Sequence, residues 1–318
     1  MMRKKWIVLF VMAVFLATMA GAITKFLRKD NKPKVVVVLQ ERNLQYWNIV
    51  RTGAEKGFRE FDIDGEVVAP GNKSKKDGLE YTLESILNEH PDVLVVAPNE
   101  SPAVIPILNK FIENKIPVLL IDADIPLEHK TAYIGTNNFE LGKKAGELLA
   151  SQLQPGDEVA LPFFAEDLTH PILSERIKGT TLSLDAAGIK VVTEPNHSQS
   201  SSIKKIMTTI LQKHPDVKGV YTTTDLYALE ALTVVEEHGL KMPVIGADGI
   251  MEMIELIKDG TLTGTVAQNP YDIGYISIET ASKVIKGEKV RRNIDTGVDI
   301  ISKDNAKLKL DFMGDLLR

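Results

Sequence analysis

After Pro33 the chain alternates short apolar runs with amphipathic stretches. Residues 35–39 form an unbroken apolar run, the pattern of a strand buried on both faces. The stretch 46–61 places Ile49, Val50, Ala54, Gly57, Phe58 and Phe61 at helical spacing. A strand at 67–69, a helix at 79–88, a strand at 93–97, a helix at 104–113 and a strand at 118–121 follow. In the second half the expected strands are 158–163, 190–192, 219–222, 244–246 and 263–267, with helices that include 203–212, 226–238 and 251–258. Strand, helix, strand, helix predicts an α/β protein with parallel, doubly wound sheets.

The two halves share words in the same order. His90-Pro91-Asp92-Val93 returns as His214-Pro215-Asp216-Val217, and Lys115-Ile116-Pro117-Val118 with Asp122 returns as Lys241-Met242-Pro243-Val244 with Asp248. The offsets, 124 and 126 residues, agree closely enough to predict two similar Rossmann-like lobes. Polar residues gather at strand ends: Asp122 after Ile121, Thr222-Thr223-Thr224-Asp225 after Val220, Asp248 after Gly246, Gln268 after Ala267. Open α/β sheets bind ligands beyond the carboxyl ends of their strands, so two facing lobes predict one shared cleft.

Ahead of this body lies a different kind of segment. Arg3-Lys4-Lys5 precedes an uncharged apolar run at 6–23, preceded by no acid and followed by Lys25, Arg28 and Lys29. It reads either as a secretory signal with Ala20-Gly21-Ala22 as its cleavage site or as one uncleaved apolar helix anchoring the protein. The length of the run tilts the reading towards the anchor. Under both, the basic residues stay inside and the body lies outside the cytoplasmic membrane, in the periplasm or at the cell surface.

Charge changes the picture of partners. The chain of 318 residues carries a formal −5, but the first 29 residues hold six bases and no acid. Setting those aside leaves 32 bases against 43 acids, a net −11, which phosphate backbones repel. Nucleic acid is not an expected partner. The absence of cysteine removes disulfides, thiolate chemistry and a lipid-anchoring Cys. No metal and no cofactor is expected.

The strand-end residues suit a sugar, which offers neighbouring hydroxyls and an apolar C–H face. Asp122 and Asp248 accept from hydroxyls, Arg176 donates in a fixed fork, and Gln268 does both. Tyr46 and Trp47, at the start of the first helix, are candidates to stack on the ring. Plainer roles stand beside these: Tyr46 or Trp47 in the core, Asp248-Gly249 as a turn, Gln268-Asn269-Pro270 as a helix start.

With these words together, the body resembles the ribose-type periplasmic sugar-binding proteins of ABC importers. The resemblance runs from Lys34 to Ser302 and rests on Tyr133-Ile134-Gly135-Thr136-Asn137-Asn138 with Leu141-Gly142, on Ile245-Gly246-Ala247-Asp248-Gly249, on Val266-Ala267-Gln268 and on Ile285-Lys286-Gly287-Glu288. It implies a type I periplasmic binding protein fold: two doubly wound lobes joined by a three-stranded hinge and closing on a ligand. Residues 1–33 are then signal or anchor plus linker. Lobe 1 is 34–135 with a return at 269–295, and lobe 2 is 136–268 with the C-terminal segment 296–318. The resemblance places ligand-binding roles on Tyr46, Trp47, Asp122, Arg176, Asp248 and Gln268; Thr224 is a further ligand-binding candidate, and Asn43, Asp124, Phe163 and Asn138 are lesser ones.

The chain departs from that pattern in four places. Leu44 replaces an asparagine, Ala123 an arginine, Thr224 another asparagine, and the second-lobe aromatic falls near Ser198. These losses argue against ribose itself while leaving a monosaccharide.

Catalysis is not expected. A dehydrogenase needs a glycine-rich turn after the first strand, where the chain has Gln40-Glu41-Arg42-Asn43-Leu44. A repressor of the same fold would carry an N-terminal helix-turn-helix in place of the apolar run. An amino-acid or autoinducer receptor stays open, as Arg176 and the acids supply charge partners. The expected partners are a small sugar and either an ABC permease or, for an anchored co-receptor, a membrane histidine kinase or chemoreceptor.

Overall fold

The computed structural model describes residues 32–317 other than 72–77, 100 and 195–200. The apolar run at 6–23 and the neighbourhood of Ser198 lie outside the described residues. Among those described, no helix is long and apolar enough to cross a membrane.

Six strands form the first sheet: β1 (Lys34–Val38), β2 (Asp64–Val68), β3 (Val93–Val96), β4 (Val118–Ile121), β5 (Ala132–Gly135) and β11 (Asn293–Asp295). Their order is β11-β5-β4-β3-β1-β2, all parallel. The second sheet contains β6 (Glu158–Ala160), β7 (Lys190–Val192), β8 (Val217–Tyr221), β9 (Val244–Asp248), β10 (Gly264–Gln268) and β12 (Val298–Ile301), in the order β12-β10-β9-β8-β6-β7. The winding of β6 to β10 repeats that of β1 to β5, the structural counterpart of the repeated words. Only the edge differs, for β12 runs antiparallel to β10.

The unbroken apolar run of β1 is explained by its two faces. Val35 and Val37 point into one core and Val36 and Val38 into another, on opposite sides of the sheet. The first of these cores is covered by α1 (Gln45–Phe61) and α9 (Pro270–Ile285), the second by α2 (Leu79–Leu87) and α3 (Val104–Glu113). In lobe 2 the equivalent layers are α4 (Asn138–Ala150) with α5 (Leu173–Ala186), and α6 (Ile203–Lys213), α7 (Asp225–Glu237) and α8 (Met251–Asp259) with the final α10 (Lys303–Leu316). The expected strand at 158–163 stops at Ala160. Leu161 N–H still bonds Val192 O at 3.0 Å, and Pro162 then has no N–H to offer.

The chain passes between the sheets three times: from β5 to α4, from β10 to α9, and from β11 to β12. These crossings are tied to each other. Thr296 N–H donates to Gly135 O at 2.9 Å, Asn137 N–H to Asp295 Oδ1 at 3.1 Å, and Asn269 Nδ2 to Thr296 O at 3.2 Å. Thr136 Oγ1 donates to Gln268 Oε1 at 2.8 Å. The three-stranded hinge is thus one hydrogen-bonded unit.

In each lobe one helix pair meets backbone to backbone through glycine. A Cβ on Gly142 of α4 would lie 2.1 Å from Arg176 O of α5, and one on Gly274 of α9 would lie 2.0 Å from Val50 O of α1. Gly142→Ala is therefore expected to force α4 and α5 apart and to cost about 1–3 kcal/mol. Chemical denaturation measures this; a variant as stable as the parent would show that the pair has room to spare.

Candidate functional site

The carboxyl ends of β4 and β9 each end on an aspartate in a backbone conformation that side chains rarely adopt, with φ 67° at Asp122 and 116° at Asp248. At Asp122 the cause is a three-residue turn. Ala123 N–H reaches back to Ile121 O at 2.8 Å, a γ-turn of the strained hand. The rest of the residue is pinned: its N–H donates to Ile134 O at 3.1 Å and its carbonyl accepts Tyr133 Oη at 2.9 Å. Its carboxylate accepts Tyr46 Oη at 2.5 Å.

Asp248 is held by a cation. Arg176, only 2 % exposed, donates through Nη1 to Asp248 Oδ1 at 2.8 Å and to Thr223 O at 2.7 Å, and through Nε to Asn138 Oδ1 at 2.9 Å. Gln268 Nε2 donates to the same Oδ1 at 2.9 Å while its Oε1 accepts from Thr136. One carboxylate oxygen thus serves the arginine and the hinge glutamine. No described hydrogen bond uses the other, Oδ2, and the Asp248 side chain is 22 % exposed.

Electrostatics couples the two ends. Burial pushes Asp122 up to about 6, against the bond from Tyr46 and the charge of Arg176, with Asp248 adding to the rise. Burial also pulls the Arg176 guanidinium down, but Asp248, Tyr221 and Asp122 outweigh it and leave its pKa raised. The Tyr46 phenol is raised well above its ordinary value by burial and then by Asp122. Tyr46, Asp122, Arg176 and Asp248 therefore share one low-dielectric space.

Tyr46, Asp122, Arg176, Asp248, Gln268 and Asn138 are brought together. A cavity between the lobes is lined by Tyr46, Asp248 and Gln268 together with Ile49, Tyr271, Phe312 and Met313.

The structure places the other expected site residues apart from this group. Trp47 is 5 % exposed in the lobe 1 core beside Val35, Val37 and Val50. Successive helical residues point about 100° apart, so α1 turns Tyr46 to the cleft and Trp47 inward. The two rings meet edge to face at 4.9 Å. Phe163, also 5 % exposed, belongs to the lobe 2 core. The Thr224 hydroxyl caps α7, accepting Tyr227 N–H at 3.2 Å. Asp124 is exposed and ion-paired with Lys130, lining a hollow beside the hinge with Thr136 and Asn137. Asn43 lies exposed on the bend before α1.

Two participants went unassigned in the sequence. Gln45 bridges the lobes: its Oε1 accepts Met251 N–H at 3.3 Å and its Nε2 lies 2.9 Å from Met251 Sδ. Asp225 is wholly buried at the start of α7, accepting from Gly249 N–H, Ile250 N–H and Thr265 Oγ1 at 2.6, 2.9 and 2.7 Å. It stands in the quoted Thr222–Asp225 word, but an Asp after a Thr cap looks like an ordinary helix start. Burial, and then the charge of Asp248, raises Asp225 to about 7.

Comparison with known proteins shows the family. A family model described as a periplasmic binding protein domain matches residues 35–289. The chain belongs to that family, and within it to the ribose-type, type I sugar-binding proteins. It is similar to the D-ribose/D-allose-binding protein of Pseudomonas aeruginosa, 26 % identical over 85 % of this chain and 89 % of that one. It is also similar to the ribose import binding protein RbsB of Salmonella typhimurium, 27 % identical over 92 % and 98 %. An ABC transporter periplasmic solute binding protein from Actinobacillus succinogenes, solved with bound D-allose, superposes with TM-score 0.75 at 26 % identity, covering 87 % of this chain and all of the other.

The buried acids set a pH dependence. Carboxylates of the unfolded chain titrate near 4, those of Asp122 and Asp225 in the folded chain at about 6 and about 7. Between those values the folded state binds extra protons. The destabilisation from these two groups is absent below about pH 4, grows as the pH rises through both values, and is complete above about pH 7. The melting temperature of the wild type, relative to a variant carrying Asp122→Asn and Asp225→Asn, is expected to fall between about pH 4 and about pH 7 and to level off above that. Parallel curves would contradict the assignment.

Proposed function

We propose that the protein captures a small monosaccharide between its lobes, outside the cytoplasmic membrane, and hands it to an ABC permease without transforming it. The observation that carries this reading is the opposed pair Asp122 and Asp248, one on each lobe and each in a strained turn at a strand end. Strain of this kind concentrates at functional sites. A sugar hydroxyl donates to Asp248 Oδ2, another to Asp122, and Tyr46 covers the ring. Supporting it, the similar proteins are described as binding ribose or allose, and one is described as part of an ABC transporter.

An amino acid is served less well. Its carboxylate needs a cation, and Arg176 already spends Nε and Nη1 on Asn138, Thr223 and Asp248. Isothermal titration calorimetry with pentoses, hexoses and amino acids decides between them: saturable heat with one sugar is expected, and a response confined to an amino acid would overturn the reading. Asp248→Ala is expected to weaken sugar binding by about 1–3 kcal/mol. Arg176→Ala should cost at least as much, because its bonds are charge-assisted. Normal binding by both variants would remove the site.

Tethering through residues 6–23 belongs to the same proposal. Mass spectrometry of the membrane-associated protein is expected to find the native Met at its start. A product beginning at Ile23 would replace the anchor with a cleaved signal.

A further inference from the structure

Asp248 does not set its own position. Its unusual φ is followed at once by Gly249 at φ 77°, and the next residues enter α8. Two backbone N–H groups of this bend, those of Gly249 and Ile250, point at a single oxygen, Oδ2 of Asp225, at 2.6 and 2.9 Å. The other oxygen of Asp225 accepts Thr265 Oγ1 of β10, so the carboxylate joins α7, the β9–α8 bend and β10. Space enforces the arrangement. A Cβ on Gly246 would lie 2.3 Å from Asp225 Oδ1, and one on Gly249 would lie 2.3 Å from the Ala267 Cβ.

We propose that Asp225 is the positioning residue of the site: without access to the cleft, its carboxylate sets the bend that aims Asp248 at the ligand. This rests on the reading that Asp248 meets the sugar. A carboxylate with no solvent exposure is costly to keep unless it is fully bonded, and Asp225 is bonded to the bend itself. The ionisable groups facing it are Asp248 on β9 and Tyr221 on β8, with Arg176 of α5 beyond Asp248. β10 presents only the Thr265 hydroxyl. On protonation Asp225 donates to Thr265 Oγ1 and keeps both amides on Oδ2. An asparagine does the same, so the conservative variant should rescue what alanine loses.

The experiment pairs calorimetry of the full chain, using D-ribose, D-allose and D-galactose, with amide hydrogen exchange. In Asp225→Ala the Gly249 and Ile250 amides are expected to exchange at least about tenfold faster, and the affinity for the sugar the wild type binds to fall at least about tenfold. Asp225→Asn is expected to hold both within about threefold. A lower melting temperature in Asp225→Ala with sugar affinity and amide exchange unchanged would overturn the proposal, as would failure of the asparagine to rescue. Thr265→Val, which removes one donor and leaves both amides, is the variant to use if the alanine does not fold. It is expected to weaken affinity a few fold, and no change in affinity or exchange there also overturns the proposal. If the wild type binds none of the three sugars, the monosaccharide reading is what fails. Amide exchange then decides the positioning by itself: faster in alanine and restored in asparagine supports it, unchanged refutes it.

Discussion

A guanidinium taken out of water must be given partners, and meeting that demand for Arg176 organises the second lobe. The partners come from separate elements: Asp248 from the end of β9, the Thr223 carbonyl from the end of β8, and Asn138 from the start of α4. For them to converge, α5 has to lie against α4 at backbone distance, which the glycines at 142 and 179 permit. Breaking one arm of such a network leaves a buried charge unpaired, a larger loss than the bond itself is worth. The network reaches the hinge through Gln268, which bonds Asp248 with one end and Thr136 with the other. Position, charge and connection to the moving part of the molecule are settled by one side chain.

The two lobes reach the same result by different means. Both present an aspartate at equivalent strand ends with φ in the region glycine favours. Asp248 is aimed by a cation, a glutamine and a bend held from below. Asp122 has no arginine beside it, since Ala123 follows, and is held by the phenols of Tyr133 and Tyr46. Burial raises the Asp122 carboxyl to about 6, and the hydrogen bond from Tyr46 and the charge of Arg176 offset that rise only in part. The lobe 1 acid therefore responds to pH near neutrality.

How much of this could be read beforehand follows from what each signal depends on. The apolar runs of β1, β3 and β4 mark strands because burial on both faces leaves no room for a polar residue. Asp122 and Asp248 stood out through the repeat and their place after those runs. Trp47 and Tyr46 could not be separated by type, since both are aromatic; only the rotation of α1 distinguishes them. Phe163 lies beyond the end of β6, where the alternation of a strand no longer fixes which way a side chain points. Asp225 was hidden by a local explanation that is true and incomplete: it opens a helix, and it also reaches a bend 24 residues on. The antiparallel β12 depends on the hinge, which brings the chain back to an edge its own sequence does not name.

Closure of such a molecule depends on more than its ligand. Ile49 of α1 packs into the core of the other lobe, Thr52 Oγ1 lies 3.2 Å from Leu316 O of α10, and Gln45 bonds Met251. Tyr271 meets Phe312 edge to face. These contacts join lobe 1 to lobe 2 beside the hinge and involve no ligand. A ligand shifts the balance between open and closed forms only by its difference in affinity for the two. Whatever the lobe-to-lobe contacts contribute to closure lowers the share the sugar must supply, and so tightens its apparent affinity. It also lessens the contrast between empty and loaded forms that a membrane partner can recognise. The apolar seam around Ile49 therefore adds to the hold on the sugar while it takes away from the difference between empty and loaded forms.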